Sequence, residues 1–66
     1  METAYEWLTE NFSHDSNIKL LCISVIDYFA EEENVEAIGE ILGGTFDLTD
    51  DEIKYLIKLR CYERGI

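Results

Sequence analysis

Ser13, His14 and Asp15 stand side by side, and a serine, a histidine and an aspartate are the residue types of a hydrolase triad. A triad needs these groups in a fixed three-dimensional arrangement, which adjacent residues do not adopt. A helix-capping turn explains the same residues, because Asp15 or Ser16 can accept hydrogen bonds from the first turn of a helix. We therefore expect no catalytic residues and no enzymatic activity.

Metal ligands are not spaced as metal sites require. His14 is the only histidine, and Cys22 and Cys61 lie 39 positions apart, so no zinc motif is present. The acid-rich segment 47–52 lacks the glycine and the twelfth-position ligand of a calcium loop. We expect no metal and no cofactor, and two free thiols that behave as small core hydrophobes.

The remaining chemically distinctive side chains are carboxylates, and they are unevenly distributed. Fourteen of the fifteen Asp and Glu residues fall within residues 2–52, where Lys19 is the only base, so this part carries −13. Residues 53–66 hold four bases and one acid, a balance of +3, and the two parts add to −10. Acids at a helix start and bases at a helix end suit the helix dipole, which explains part of this asymmetry.

The acids also form regular groups. Glu2, Glu6 and Glu10 make one row at helical spacing, and a second ridge runs from Glu31 to Glu40. Such a surface either keeps a protein soluble or attracts a basic partner. On the second interpretation, the expected partner-binding residues are Glu31, Glu32, Glu33, Glu36, Glu40, Asp47, Asp50 and Asp51.

Helix caps and apolar spacing predict four helices and an all-α, single-domain bundle over residues 1–66. The expected helices are about residues 4–12, a second begun by Asp15 or Ser16, about residues 35–42, and about residues 50–63. Thr3 with Glu6 and Thr49 with Glu52 fit the capping-box pattern. Asn34 is expected to cap the third helix, and Gly43-Gly44 to end it in the left-handed conformation.

The second helix is the most apolar and is expected to lie at the centre of the bundle. One predicted inward stripe is Ile18, Leu21, Cys22, Val25 and Phe29, and a polar strip contains Ser16, Lys19, Ser24 and Asp27. Apolar residues off that stripe exceed what a small domain can cover. We therefore expect a homodimer whose interface includes Leu20, Ile23, Ile26 and Tyr28.

The compartment is inferred from the start of the chain and from its apolar segments. Met1 is followed by Glu2 rather than by a basic stretch and an apolar run, so no secretory signal is expected. The longest apolar-rich segment, residues 18–30, is too short and too polar to cross a bilayer. These features favour a cytoplasmic protein, in the host-cell cytoplasm if a phage encodes it.

Two short resemblances concern Ser16 and the third helix. Asp15-Ser16 resembles the Asp-Ser-Leu site of acyl carrier proteins, in which serine carries phosphopantetheine, but Asn17 replaces the leucine and the family's first helix and long loop do not fit before it. Residues 36–43 resemble the start of a helix-turn-helix. Its second helix would approach DNA with the acids of segment 50–52 leading, which phosphate repels. We expect neither the cofactor nor direct nucleic-acid binding.

In size, charge and helical content the chain is similar to acidic phage and mobile-element proteins that block nucleases, restriction enzymes or CRISPR effectors. That similarity implies an anti-CRISPR or anti-restriction type of inhibitor, a DNA mimic that occupies a basic nucleic-acid-binding surface. The alternative is a small homodimeric regulatory or structural protein in which the charge only maintains solubility. The two functions differ in whether the acidic ridge contacts a partner.

Overall fold

The computed structural model describes residues 2–30, 34–43 and 47–65. These residues form four helices and no strand: α1 (Ala4–Asn11), α2 (Ser16–Phe29), α3 (Val35–Leu42) and α4 (Asp50–Arg64). The predicted all-α class is therefore confirmed, and each helix lies within a few residues of its expected bounds. No helix in these three segments is long and apolar enough to span a membrane.

Both capping boxes form at the predicted positions. The Glu6 amide donates to Thr3 Oγ1 and the Thr3 amide donates to Glu6 Oε1, each at 3.1 Å. At the start of α4, the Glu52 amide donates to Thr49 Oγ1 at 3.2 Å, and the Thr49 amide donates to Glu52 Oε1 at 2.9 Å. Each box satisfies two amide donors that a helix start leaves free.

The other two helix starts are capped by single side chains. Asp15 Oδ1 accepts from the amides of Asn17 and Ile18 at 2.9 and 3.3 Å, so the Asp15 alternative is the correct one. Asn34 Oδ1 accepts from the Ala37 amide at 3.2 Å, as predicted. The hydrogen bonds at residues 15–18 are those of a helix cap.

The predicted left-handed end of α3 is wrong at Gly43, which has right-handed helical dihedral angles. Gly44 lies outside the described residues. Among the described residues, the glycine in the left-handed conformation is Gly65, with φ of 72°, and its amide donates to the Tyr62 carbonyl at 3.3 Å. A side chain is strained in this conformation, so glycine suits the end of α4.

The core is built from all four helices, and both α2 and α4 contact each of the other three. The central position predicted for α2 is therefore confirmed, and α4 shares it. The buried apolar residues are Ala4, Leu8, Cys22, Ile26, Ala30, Ile38, Leu42, Ile53, Leu56, Ile57 and Leu59. The apolar spacing within residues 50–63 predicts that Ile53, Leu56, Ile57 and Leu59 face inward, and all four belong to this set.

The face that α2 buries differs from the predicted stripe. Its buried side chains are Lys19, Cys22 and Ile26, whereas Leu21, predicted to face inward, is 53% exposed. The sequence could not choose between the faces because apolar residues occur on nearly all sides of this helix. Ile26 was expected at a dimer interface, but it is fully buried within its own chain and offers no surface to a second copy.

Lys19, predicted to lie on a polar strip, is only 3% exposed. Its ammonium donates to Thr9 Oγ1 at 2.7 Å and lies 4.1 Å from the centre of the Tyr5 ring. The Tyr5 and Ser16 hydroxyls share a hydrogen bond of 3.0 Å. The bond to Ser16, followed by the contact with Lys19, lowers the pKa of Tyr5. This cluster joins α1 to α2.

Candidate partner-binding groove

An open groove of about 700 Å³ separates α3 from the start of α4. We call it the α3–α4 groove. The described residues that line it are Val35, Glu36, Gly39, Glu40, Leu42, Gly43, Asp47, Leu48, Asp50 and Lys54. The groove therefore gathers side chains from two helices and from the residues just before α4.

Four of the predicted partner-binding residues lie together around this groove. Glu36 and Glu40 are one turn apart on the exposed side of α3, and Asp47 and Asp50 are exposed at the beginning of α4. Lys54 supplies the positive charge among the lining residues. Four carboxylates against one ammonium give the groove a negative potential that favours a cationic partner.

The remaining predicted partner-binding residues are not part of this lining. Asp51 is exposed on α4 but does not line the groove. Glu31, Glu32 and Glu33 lie outside the described residues. The ridge predicted from Glu31 to Glu40 is thus located only at its α3 end.

We call the three apolar side chains that line the α3–α4 groove, Val35, Leu42 and Leu48, the floor of the groove. Leu42 is 2% exposed, and Val35 and Leu48 are partly buried against the core. Gly39 presents no side chain, and a Cβ atom there would be 3.7 Å from Ile53 Cδ1, an ordinary contact distance. From the sequence, Gly39 either weakens the third helix or permits a close approach by a neighbouring helix. The groove itself depends on the packing of two helices and was not predicted.

Two members of the second acidic row, Glu2 and Glu6, have structural roles, of which only the Glu6 capping box was predicted from the sequence. Glu2 Oε2 accepts a hydrogen bond of 2.8 Å from the Tyr55 hydroxyl, which raises the pKa of Tyr55. Glu6 belongs to the capping box of α1, and its backbone and side-chain bonds with Thr3 lower the pKa of Glu6. Glu10 is exposed. This row is therefore a weaker candidate than the acids of the α3–α4 groove.

A second surface of interest is the exposed side of α2. Leu20 is 53% exposed and Tyr28 is 81% exposed, while Ile23 is half-buried. Leu20, Leu21, Ser24 and Tyr28 are all exposed and fall on one side of the helix. Of the predicted dimer-interface residues, Leu20 and Tyr28 are available for contact with another molecule.

The described His, Cys, Asp and Glu side chains were compared with the requirements of a metal site and of a reactive thiol. Within residues 2–30, 34–43 and 47–65, no three His, Cys, Asp or Glu side chains are grouped to hold a metal ion. Both cysteines are free thiols: Cys22 is buried and Cys61 is half-buried. Burial raises the pKa of Cys22 to about 11, so this thiol stays protonated and weakly nucleophilic at neutral pH.

The sequence and the structure were compared with known proteins. No family model matches the sequence, and neither the curated proteins nor the solved structures contain a significant match. The functional interpretation therefore depends on the geometry and charge of this chain.

Proposed function

We propose that this protein is a small acidic inhibitor that binds a basic, nucleic-acid-binding surface of another protein or complex. The observation that carries the proposal is the grouping of Glu36, Glu40, Asp47 and Asp50 around the α3–α4 groove. Their carboxylates are exposed, so they can meet Lys and Arg side chains that otherwise contact phosphate.

The mechanism is steric and electrostatic competition. The bound protein places carboxylates where the target would hold phosphates, and its helices block the path of the nucleic acid. Long-range attraction between the −10 chain and a cationic target accelerates their association, and added salt weakens it. Phage counter-defence proteins of the anti-CRISPR and anti-restriction type work in the same compartment, the host-cell cytoplasm, which we propose for this chain.

A capture and competition experiment tests this function. The immobilised protein is incubated with extract of its source cell, and the proteins it retains are identified by mass spectrometry. A retained protein is then purified, and its binding to labelled DNA or RNA is measured while the inhibitor is titrated. We expect nucleic-acid binding to be lost with the wild type and kept with the Glu36→Lys, Glu40→Lys double variant. If the retained partner binds nucleic acid equally well with and without the wild-type inhibitor, the proposal is wrong.

A second candidate function is that of a homodimeric regulatory or structural protein without nucleic-acid mimicry. The exposed Leu20, Leu21 and Tyr28 on α2 favour it, since water-exposed apolar side chains on one helix face often mark a contact surface. Light scattering after size exclusion, at low and high salt, measures the mass directly. A dimer that Leu20→Lys converts to a monomer supports this function, and a monomer of 7.7 kDa at all concentrations contradicts it.

A further inference from the structure

The α3–α4 groove combines two properties that a simple mimic of phosphate charge does not need. Carboxylates surround it, but its floor is formed by Val35, Leu42 and Leu48. Phosphate groups on a nucleic acid carry charge without an apolar recess between them. The floor therefore indicates that the partner contributes an apolar side chain as well as positive charge.

The charge around the groove restricts which apolar segments fit. Glu36, Glu40, Asp47 and Asp50 repel an acidic segment and attract one that carries Lys or Arg. Exposed ion pairs are individually weak and screened by salt. Burial of an apolar side chain is much less sensitive to salt, so it supplies affinity that remains when the charges are screened.

We propose that the α3–α4 groove binds an amphipathic basic segment of the partner protein. One apolar side chain of that segment rests on Val35 and Leu48, the partly exposed residues of the floor, and flanking Lys or Arg side chains contact the surrounding carboxylates. This inference rests on the proposed function, because it assumes the same basic partner and the same surface. It adds that the target is recognised through an apolar anchor within a cationic segment.

Two synthetic peptides test the anchor directly. Both are Lys- and Arg-rich peptides of about 15 residues, the length at which an isolated helix becomes marginally stable, and they differ only in a central Leu or Ala. Binding of each fluorescent peptide is measured by anisotropy at low salt and at about 0.5 M salt, where charge interactions are strongly screened. We expect the Leu peptide to bind about tenfold more tightly than the Ala peptide at both salt concentrations.

A variant of the groove floor tests whether the preference for the Leu peptide over the Ala peptide arises in the groove. Val35→Thr replaces a methyl group by a hydroxyl of the same shape, so the floor becomes polar while its volume is kept. Val25→Thr is the matched control, because Val25 is also half-buried but lies on α2. We expect Val35→Thr to reduce the preference for Leu to about twofold and Val25→Thr to leave it unchanged.

The outcomes separate this inference from the proposed function. Equal binding of the Leu and Ala peptides overturns the apolar anchor, while the competition with nucleic acid can still succeed. A Leu preference that Val35→Thr leaves intact also overturns it, because the anchor then binds elsewhere. If neither peptide binds at low salt, the groove does not accept a basic segment, and the competition assay decides separately whether the protein displaces nucleic acid.

Discussion

Asp27 and Arg60 form a bidentate ion pair between α2 and α4. Arg60 Nε donates to Asp27 Oδ1 at 2.9 Å, and Arg60 Nη2 donates to Asp27 Oδ2 at 2.8 Å. Both side chains are largely shielded, with 21% and 28% of their surfaces exposed for Arg60 and Asp27. Arg60 Nη1 also lies 3.4 Å from Glu63 Oε2. The basic end of α4 therefore helps to hold the bundle together.

Loss of this pair is expected to weaken the fold. Arg60→Gln removes the two parallel hydrogen bonds and leaves Asp27 with a partly buried charge, so the free energy of unfolding should fall by about 1–2 kcal/mol. Urea denaturation measures the change. Lys58→Gln, on the exposed side of the same helix, should change stability by less than about 0.5 kcal/mol. Equal effects of the two variants contradict the structural role of Arg60.

Lys19 is expected to be replaceable by a neutral side chain of similar length. Lys19→Met keeps contact with the Tyr5 ring and removes the desolvation cost of a buried ammonium. The free energy of unfolding should therefore rise by about 1 kcal/mol. Lys19→Ala leaves a cavity and should lower stability by about 2 kcal/mol. Thermal and urea unfolding compare the two variants. If Lys19→Met is as destabilising as Lys19→Ala, the ammonium itself stabilises the α1–α2 contact.

The buried Cys22 thiol predicts a loss of stability at alkaline pH. Burial raises its pKa from 9.0 to about 11, so the folded state keeps a proton that the unfolded state loses. The protonated Cys22 thiol therefore contributes to the free energy of unfolding in full below pH 9, and this contribution is lost as pH rises towards 11. The total loss is roughly 2–3 kcal/mol. We expect Cys22→Ala to be less stable at neutral pH but to show a flatter decline between pH 9 and 11. If the stability of the wild type and of Cys22→Ala falls equally between pH 9 and 11, the Cys22 thiol is not the cause of the decline.

Local features of the fold could be predicted from the sequence because they depend on neighbouring residues. The Thr3–Glu6 and Thr49–Glu52 capping boxes each lie within four residues, and both form. The spacing of apolar residues also located the buried face of α4, because polar residues occupy its other sides. The presence of the helices and the residues at which they begin could therefore be predicted without the tertiary structure.

Features that depend on packing between helices could not be predicted in this way. Apolar residues surround α2, so their spacing did not distinguish the buried Ile26 from the exposed Leu21. The burial of Lys19 depends on Thr9 and Tyr5 of another helix. The same applies to the candidate site. The sequence predicted Glu36, Glu40, Asp47 and Asp50 as partner-binding residues, but their common position around one groove depends on the approach of α3 to α4.

Charge reversal at one groove residue tests the central claim most directly. Glu40→Lys changes an acid of the α3–α4 groove, and Glu10→Lys makes the same change at an exposed position on α1. The affinity of each variant for the captured partner is measured by calorimetry at about 0.1 M salt, after circular dichroism has shown that both remain helical. We predict that Glu40→Lys weakens binding at least about tenfold, whereas Glu10→Lys weakens it less than about threefold. Equal losses of affinity would show that overall charge, and not the groove, determines binding.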